Sequence, residues 1–175
     1  MCIVWLAVSF NYYMVSFLLK YFPGSIYVNT TCSSISDVLG NMMGGFLFSY
    51  FGVKKSLGLS FAMSFLGGLS IVYYELNTNF YSSTPSQTTA MLFPMLVLIA
   101  KLGLTSIYNI NYLANPHLFP VLFASRALGY CNFLARFSTI FAPQVAEIQS
   151  LVPMTIFTCL CCLGFVASQF LRAEE

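Results

Sequence analysis

The chain has 175 residues, of which 58% are hydrophobic and 7% are charged, and its formal net charge is +2. Soluble domains carry about a quarter charged residues, so seven Lys and Arg with five Asp and Glu are too few to cover a water-facing surface. The composition therefore predicts a membrane protein and excludes a soluble domain, and the small net charge gives no support to a nucleic-acid partner.

Six apolar runs are long enough to cross a bilayer core of about 30 Å as helices of about 20 residues. In chain order they cover 1–22, 31–51, 55–75, 90–113, 121–146 and 151–171, to within a few residues. Turn-forming or polar stretches separate them at 23–29, 52–56, 75–89, 114–120 and 147–153. The sequence thus predicts an all-α membrane protein with six transmembrane helices in a single domain, 1–175.

The basic residues fall on one side of these predicted crossings. If successive loops alternate between the two sides, one side receives Lys54, Lys55, His117, Arg126 and Arg172. The other side receives Glu75, with Lys20 as its cation. Lys and Arg concentrate in cytoplasmic loops, so the first side, together with the start of the chain, is predicted to be cytoplasmic.

The fifth run carries two arginines with different predicted environments. At 100° per residue, Arg136 shares one helical face with small and polar residues: Ser125, Gly129, Asn132, Thr139 and Pro143. Arg126 lies about 15 Å along the helix from it, near the cytoplasmic interface, where a long side chain can reach water. A cation at the depth of Arg136 costs about 2.5–3.5 kcal/mol, so it should face a bundle interior or a wet cavity.

Three other runs present a similar polar face. The face of the fourth run contains Lys101, Thr105, Tyr108 and Tyr112, that of the first contains Trp5, Ser9, Tyr12 and Ser16, and that of the second contains Ser33, Asp37, Asn41 and Gly44. Four such faces predict a central aqueous cavity. Small and polar residues also hold membrane helices together, and helix packing is the preferred reading for Asn41, Gly44, Asn109 and Ser125.

A functional role is favoured for the two mid-membrane cations. Lys101 and Arg136 have only Asp37 as an obvious intramembrane anion, which makes them poor structural contacts. Tyr12 and Tyr13 fit either substrate contact or ordinary aromatic packing. The six cysteines form no Cys/His cluster, so buried thiols are expected, with no metal site and no disulfide framework.

Four stretches of the chain, in order, resemble the C-terminal half of the organic-ion transporters of the major facilitator superfamily. They are SFNYY with GSIYVN (9–13, 24–29), GGFLFSYFGVKKSL (44–57), AKLG (100–103) and HLFPVLFASRALGYCNFLARFSTIFAP (117–143). The last is similar to the family signature E-L-[YF]-P-T-x-x-R-x-x-G and the segment after it. The chain departs from the family pattern at His117, where Glu is usual, at Val121, where Thr is usual, and at Val53, where a basic residue is usual.

The resemblance implies roles for particular residues. Arg136 stands where anion and zwitterion transporters tend to have Arg, and Lys101 matches a basic position of anion-type members. It implies that Arg136 and Lys101 meet the charge of an organic anion or zwitterion, that Tyr12, Tyr13 and Phe10 contact its apolar body, and that Asn132 lines the same site. Lys54, Lys55 and Arg126 match a cytoplasmic charge network involved in gating, whose acidic member is replaced by His117.

The expected function is alternating-access transport of small organic ions by one of two six-helix halves, with the N-terminal half absent from this sequence. The alternative is a non-transporting structural or assembly subunit of a larger membrane complex. Either function requires a partner, namely an N-terminal transporter half or another membrane subunit, besides lipid. No enzymatic motif or cofactor-binding loop is present, so the chain is not expected to be an enzyme or to need a cofactor. The plasma membrane is the expected location, with an organelle membrane as the alternative.

Overall fold

The structure, a computed structural model, describes residues 1–22, 25–78, 87–148 and 151–170. In these ranges the regular secondary structure is entirely α-helical. The helices are α1 (Cys2–Leu18), α2 (Ile26–Thr78), α3 (Gln87–Leu118), α4 (Val121–Thr139), α5 (Ala142–Ala146) and α6 (Val152–Gln169). The predicted all-α class is confirmed.

Three helical stretches among the described residues are long and apolar enough to cross a membrane. They are Ile26–Asn77, Phe93–Leu118 and Val152–Gln169, and Cys2–Leu18 is a shorter apolar helix. Their length and composition agree with the prediction of a multi-pass membrane protein. The number of crossings, six, stays a prediction.

Helix α2 folds back on itself at Gly52, which separates an arm at 26–51 from an arm at 53–78. Gly52 has φ 71° and ψ 178°, a backbone conformation that is essentially restricted to glycine. The predicted loop at 52–56 therefore shrinks to a single residue. Lys54 and Lys55, expected in that loop, lie instead in the first helical turn of the second arm, where both are exposed.

The first arm of α2 packs closely along α3. A Cβ atom at Gly40 would lie 2.8 Å from the carbonyl oxygen of Leu102, and one at Gly44 would lie 2.9 Å from that of Ser106. Because residue numbers rise together along this contact, the first arm runs parallel to α3. Only residues without a side chain allow two helix backbones to approach this closely.

The second arm of α2 packs on α3 in the opposite direction. A Cβ atom at Gly67 would lie 2.7 Å from the Cα of Ala100, and one at Gly103 would lie 2.8 Å from the carbonyl oxygen of Ser60. Helix α3 is thus held between two antiparallel arms of α2. Helix α1 contacts α3, α4, α5 and α6. Helix α6 also packs on the second arm of α2.

Three basic residues lie at the same end of this bundle. At one end, the His117 ring lies 5.3 Å from the Phe48 ring, and the side-chain amide of Asn115 donates to the carbonyl of Ala124 at 2.8 Å. These contacts bring the Gly52 turn and the start of α4 to the same end. Lys54, Lys55 and Arg126 therefore share it, as the alternating-loop prediction requires.

Three predicted boundaries are wrong. Helix α3 continues through Pro116 to Leu118, so His117 is helical rather than part of a loop; the Phe119 N–H still bonds the Asn115 carbonyl at 3.2 Å. Helix α2 begins at Ile26, inside the turn predicted at 23–29. It also extends past Glu75, which is 4% exposed rather than in a polar loop, because neither Gly nor Pro interrupts 69–84.

The fifth predicted run is also not one continuous helix. Helix α4 ends at Thr139, and α5 starts at Ala142 with Pro143 in its first turn. Proline has no N–H to continue the helical hydrogen bonds, which accounts for the break. Four ranges lie outside the described residues: 23–24, 79–86, 149–150 and 171–175. They include most of the predicted 75–89 loop and Arg172.

Candidate functional site

The polar faces of α1, the first arm of α2, and α3 meet at the Asp37 carboxylate. Lys101 donates to its Oδ2 at 3.1 Å, and the Tyr12 hydroxyl donates to the same oxygen at 3.2 Å. The other oxygen, Oδ1, accepts from the Thr105 hydroxyl at 2.8 Å. Lys101 also donates to the Ser33 hydroxyl. One carboxylate thereby joins side chains of three helices.

Lys101 is paired with Asp37 and thus makes a structural contact, contrary to the expectation that the two mid-membrane cations are poor structural contacts. Among the described residues, the one ion pair is that between Lys101 and Asp37. The side chain of Lys101 is 4% exposed, and that of Asp37 is 27% exposed. A buried charge is tolerated when an opposite charge and hydrogen bonds satisfy it. In this conformation Lys101 is paired with Asp37, whose more exposed side chain separates it from any ligand at the surface of the chain.

Arg136 has the opposite environment. It is exposed, and within the described ranges it forms no ion pair with a carboxylate. Its guanidinium donates to the Tyr13 hydroxyl and lies 5.4 Å from the centre of the Tyr13 ring. An arginine held by a phenol and an aromatic face keeps its full charge and several free N–H donors for an anionic group.

Aromatic rings connect the two cations. The Lys101 ammonium lies 4.9 Å from the centre of the Tyr12 ring, the rings of Tyr12 and Tyr13 are 5.6 Å apart and nearly perpendicular, and Tyr13 reaches Arg136. The edge-to-face pair fixes both ring orientations. Residues 12, 13, 37, 101 and 136, which come from four separate predicted runs, therefore form one continuous cluster, termed here the charged face.

A second aromatic group borders the charged face. Trp5 lies 5.8 Å from Tyr108 and 4.7 Å from Tyr112, in edge-to-face geometry, and the Tyr112 hydroxyl donates to Asn132 at 3.4 Å. Tyr108 also approaches Tyr12 at 5.7 Å. The structure thus places Asn132 at the rim of the charged face, one helical turn from Arg136.

Three parts of the predicted site lie elsewhere. Phe10 lines an apolar groove with residues of α1, α4 and α6, among them Leu6, Ser138 and Leu160. The predicted gating residues occupy two separate grooves. Lys54 and Lys55 line one with Gly58 and Gln169, and Arg126 lines another with Gly129 and Tyr130.

Sequence reasoning did not include Asp37, Ser33 or Thr105 among the site residues. Their positions carried the necessary signal, because Ser33 and Asp37 are four residues apart on one helical face, as are Lys101 and Thr105. The signal lacked the register between α2 and α3, which is set by the glycine contacts. Two predicted packing residues, Asn41 and Asn109, do contact each other across that interface, at 3.1 Å.

Among the described residues, His, Cys, Asp and Glu side chains form no group of three or more that could hold a metal ion. The cysteines are not uniformly buried as expected. Cys131 and Cys161 are buried, whereas Cys2, Cys159 and Cys162 are exposed on the chain surface. Cys2 and Cys131 approach within 3.2 Å, sulfur to sulfur.

The described residues thus form a helical protein with three stretches long and apolar enough to cross a membrane. No family model matches the sequence. The chain is 27% identical to the organic cation/carnitine transporter 2 of Mus musculus over 143 residues, which cover 81% of the chain and 23% of the relative. It is 26% identical to solute carrier family 22 member 6-B of Xenopus laevis over 170 residues, covering 95% of the chain and 29% of the relative.

It is also 23% identical to the organic anion transporter 3 of Oryctolagus cuniculus over 172 residues, covering 97% of the chain and 30% of that protein. The chain is therefore a relative of the organic-ion transporters of the major facilitator superfamily, at low identity over most of its length. This confirms the resemblance found in the sequence motifs. The relatives are solute carriers, which agrees with the expectation that the chain is not an enzyme. It spans between 23% and 30% of the length of these relatives.

Proposed function

We propose that the chain is the C-terminal six-helix half of a secondary transporter of small organic ions that works by alternating access. The charged face would form one wall of the substrate cavity. A second half, supplied by the same polypeptide or by a separate chain, would form the other wall with about six further helices. The plasma membrane is the proposed location.

The observation that carries this proposal is the charge of Arg136, which no carboxylate among the described residues compensates. Lys101 and Asp37 neutralise each other, so the charged face retains one positive charge, which is exposed and bordered by tyrosines. Cations placed at membrane depth mark ion and substrate pathways, since a solely structural role would not offset their cost. An exposed guanidinium supported by a neighbouring hydroxyl is suited to bind a carboxylate.

The substrate class follows from that charge. We propose an organic anion, or a zwitterion with a carboxylate, whose negative group binds Arg136 and whose apolar body lies along Tyr12 and Tyr13. Asn132 would contribute a hydrogen bond at the rim. Phe10 would act only through the adjacent apolar groove. Lys54, Lys55 and Arg126 would serve conformational change at the cytoplasmic end, as two separate groups of charge rather than one network.

Uptake measurements on the full-length gene product would test the proposal. Cells expressing it would be supplied with radiolabelled benzoate, carnitine and tetraethylammonium as probes of an anion, a zwitterion and a cation. Arg136→Asp should abolish uptake of benzoate, because the reversed charge repels a carboxylate. Lys20→Gln removes an exposed cation outside the charged face and is the matched control. Undiminished benzoate uptake by Arg136→Asp, with equal surface biotinylation, would contradict the proposal.

A separate experiment addresses the need for a second half. The protein would be extracted in a mild detergent, and the chains that co-purify would be identified by mass spectrometry. A stoichiometric six-helix transporter half, on the same polypeptide or a separate one, is the expected result. A stable set of unrelated membrane subunits would instead favour a structural or assembly role.

A further inference from the structure

Asp37 lies between the buried cation and the open side of the charged face. Its carboxylate accepts hydrogen bonds from Lys101, Tyr12 and Thr105, at 3.1, 3.2 and 2.8 Å. Its side chain remains 27% exposed, whereas that of Lys101 is 4% exposed. A ligand approaching from the open side would therefore meet the carboxylate of Asp37 before it could reach Lys101.

The net charge of the charged face depends on Asp37. With Asp37 ionised, the two cations and one anion leave a single positive charge, on Arg136. Tyr12 and Tyr13 lie between that charge and Asp37, in a series of ring contacts of 4.9, 5.6 and 5.4 Å from Lys101 to Arg136. A ligand that extends from Arg136 along the two rings would place its far end near Asp37.

We propose that Asp37 is a specificity-determining residue that restricts the transporter to substrates with a single carboxylate. It neutralises Lys101, so one cation remains for the substrate. It also repels a second carboxylate at the far end of the cavity while tolerating a neutral or positive group there. This inference rests on the proposed transport function and assigns the number of carboxylates on the substrate within it.

The physical reason is that selectivity can come from repulsion of the wrong ligand as much as from attraction of the right one. Like charges brought together in a poorly solvated site disfavour binding strongly, and opposite charges fix the orientation of a ligand. In the arrangement seen here a monoanion gains one attraction, and a dianion gains the same attraction but meets one repulsion. A zwitterion could satisfy both Arg136 and Asp37.

The test compares two probes that differ by one carboxylate on the same ring, benzoate and the para isomer of phthalate. The second carboxylate of this isomer lies at the opposite end of the ring from the first, and phthalate below means this isomer. Cells expressing the full-length gene product would take up radiolabelled forms of both, with surface amount measured by biotinylation. The wild type should prefer benzoate. In Asp37→Asn, which keeps the shape but removes the charge, the ratio of phthalate to benzoate uptake should rise about tenfold, corresponding to about 1.4 kcal/mol. An unchanged ratio would overturn the inference.

Two further variants separate charge selectivity from damage to the fold. Asp37→Asn combined with Lys101→Gln restores the wild-type charge count but still lacks the repelling carboxylate, so the ratio should fall below that of Asp37→Asn and stay above that of the wild type. Lys101→Gln alone leaves Asp37 unpaired and should raise the ratio of carnitine to benzoate uptake, since the freed carboxylate attracts the ammonium of a zwitterion. If Asp37→Asn does not reach the surface, an unchanged carnitine ratio in Lys101→Gln overturns the inference.

The outcomes also distinguish this inference from the proposed function. A wild type that takes up neither benzoate, phthalate nor carnitine contradicts both. A wild type that takes up benzoate through Arg136, with a phthalate ratio that does not respond to Asp37, contradicts only the assignment of Asp37.

Discussion

The charged face contains two cations, Lys101 and Arg136, in opposite environments. Around Lys101 the ammonium is buried, bound to Asp37 and Ser33, and held where α2 and α3 approach closely at glycines. Around Arg136 the guanidinium is exposed and bonded to the Tyr13 hydroxyl, on a helix where a Cβ atom added at Gly129 would meet no atom within 4 Å. The first region resembles a protein core, and the second resembles an exposed protein surface.

This difference shows that membrane depth does not by itself identify a substrate-binding cation. Lys101 and Arg136 were predicted at similar depths, but the partner of each decides its role. A buried ion pair costs desolvation energy and is strongly destabilised when one partner is lost, whereas an exposed cation can be neutralised at little cost to folding. We therefore expect stability to depend on the Lys101 region and substrate recognition on the Arg136 region.

The largest expected effect on stability is that of Asp37→Asn. Losing the carboxylate leaves a buried ammonium without its counter-ion, at a cost of about 3 kcal/mol, the lower part of the range for buried pairs, because Asp37 is partly exposed. Thermal unfolding of the detergent-solubilised protein would measure the change. Arg136→Gln is the matched control and should change the free energy of unfolding by less than about 0.5 kcal/mol. Equal losses in both variants would remove the distinction between the two regions.

A smaller effect is expected from adding a methyl group in each region. Gly40→Ala would place its Cβ atom 2.8 Å from both the Leu102 carbonyl oxygen and the Thr105 Cβ, so the α2–α3 contact must open, at about 1–2 kcal/mol. Gly129→Ala fills open space and should be neutral or stabilising, by up to about 1 kcal/mol from helix propensity. Unfolding temperatures compared between the two variants would check this. A loss of stability in Gly129→Ala would show that α4 packs more tightly than described.

The smallest effects should come from single hydroxyl groups. Tyr12→Phe removes a hydrogen bond to Asp37 and should lower stability by about 1 kcal/mol while changing the KM for benzoate little. Tyr13→Phe removes the hydroxyl that orients Arg136 and should raise the KM several-fold, at a similar cost of about 1 kcal/mol in binding. Saturation kinetics and thermal unfolding on both variants would show whether Tyr12→Phe mainly lowers stability and Tyr13→Phe mainly raises the KM. The reverse pattern would assign substrate recognition to the Lys101 region.

The sequence was sufficient to predict which faces are polar. Helical periodicity alone placed Tyr12, Asp37, Lys101 and Arg136 on the inward faces of separate helices, and all four lie on the charged face. It could not predict the break after Thr139, or that α3 continues through Pro116, because a proline signal marks a neighbourhood rather than a boundary. Boundaries depend on how neighbouring segments pack around the proline.

The pairing of Lys101 was also beyond reach of the sequence. Asp37 was recognised as the obvious intramembrane anion, but its partner depends on which turn of α2 lies beside which turn of α3. That register is set by the contacts of Gly40 and Gly44, which bring Asp37 to Lys101 and Thr105. Phe10 was misplaced for a related reason, since it shares α1 with the tyrosines but faces an apolar groove.

By itself, the sequence determined that the protein is a helical membrane protein related to organic-ion transporters, because composition, helical periodicity and local motifs are properties of short segments. Only the tertiary structure decided which cation is neutralised and which remains available. Charge compensation acts between side chains a few ångströms apart, and residues 64 positions apart in the chain, such as Asp37 and Lys101, reach that distance only when the helices have packed.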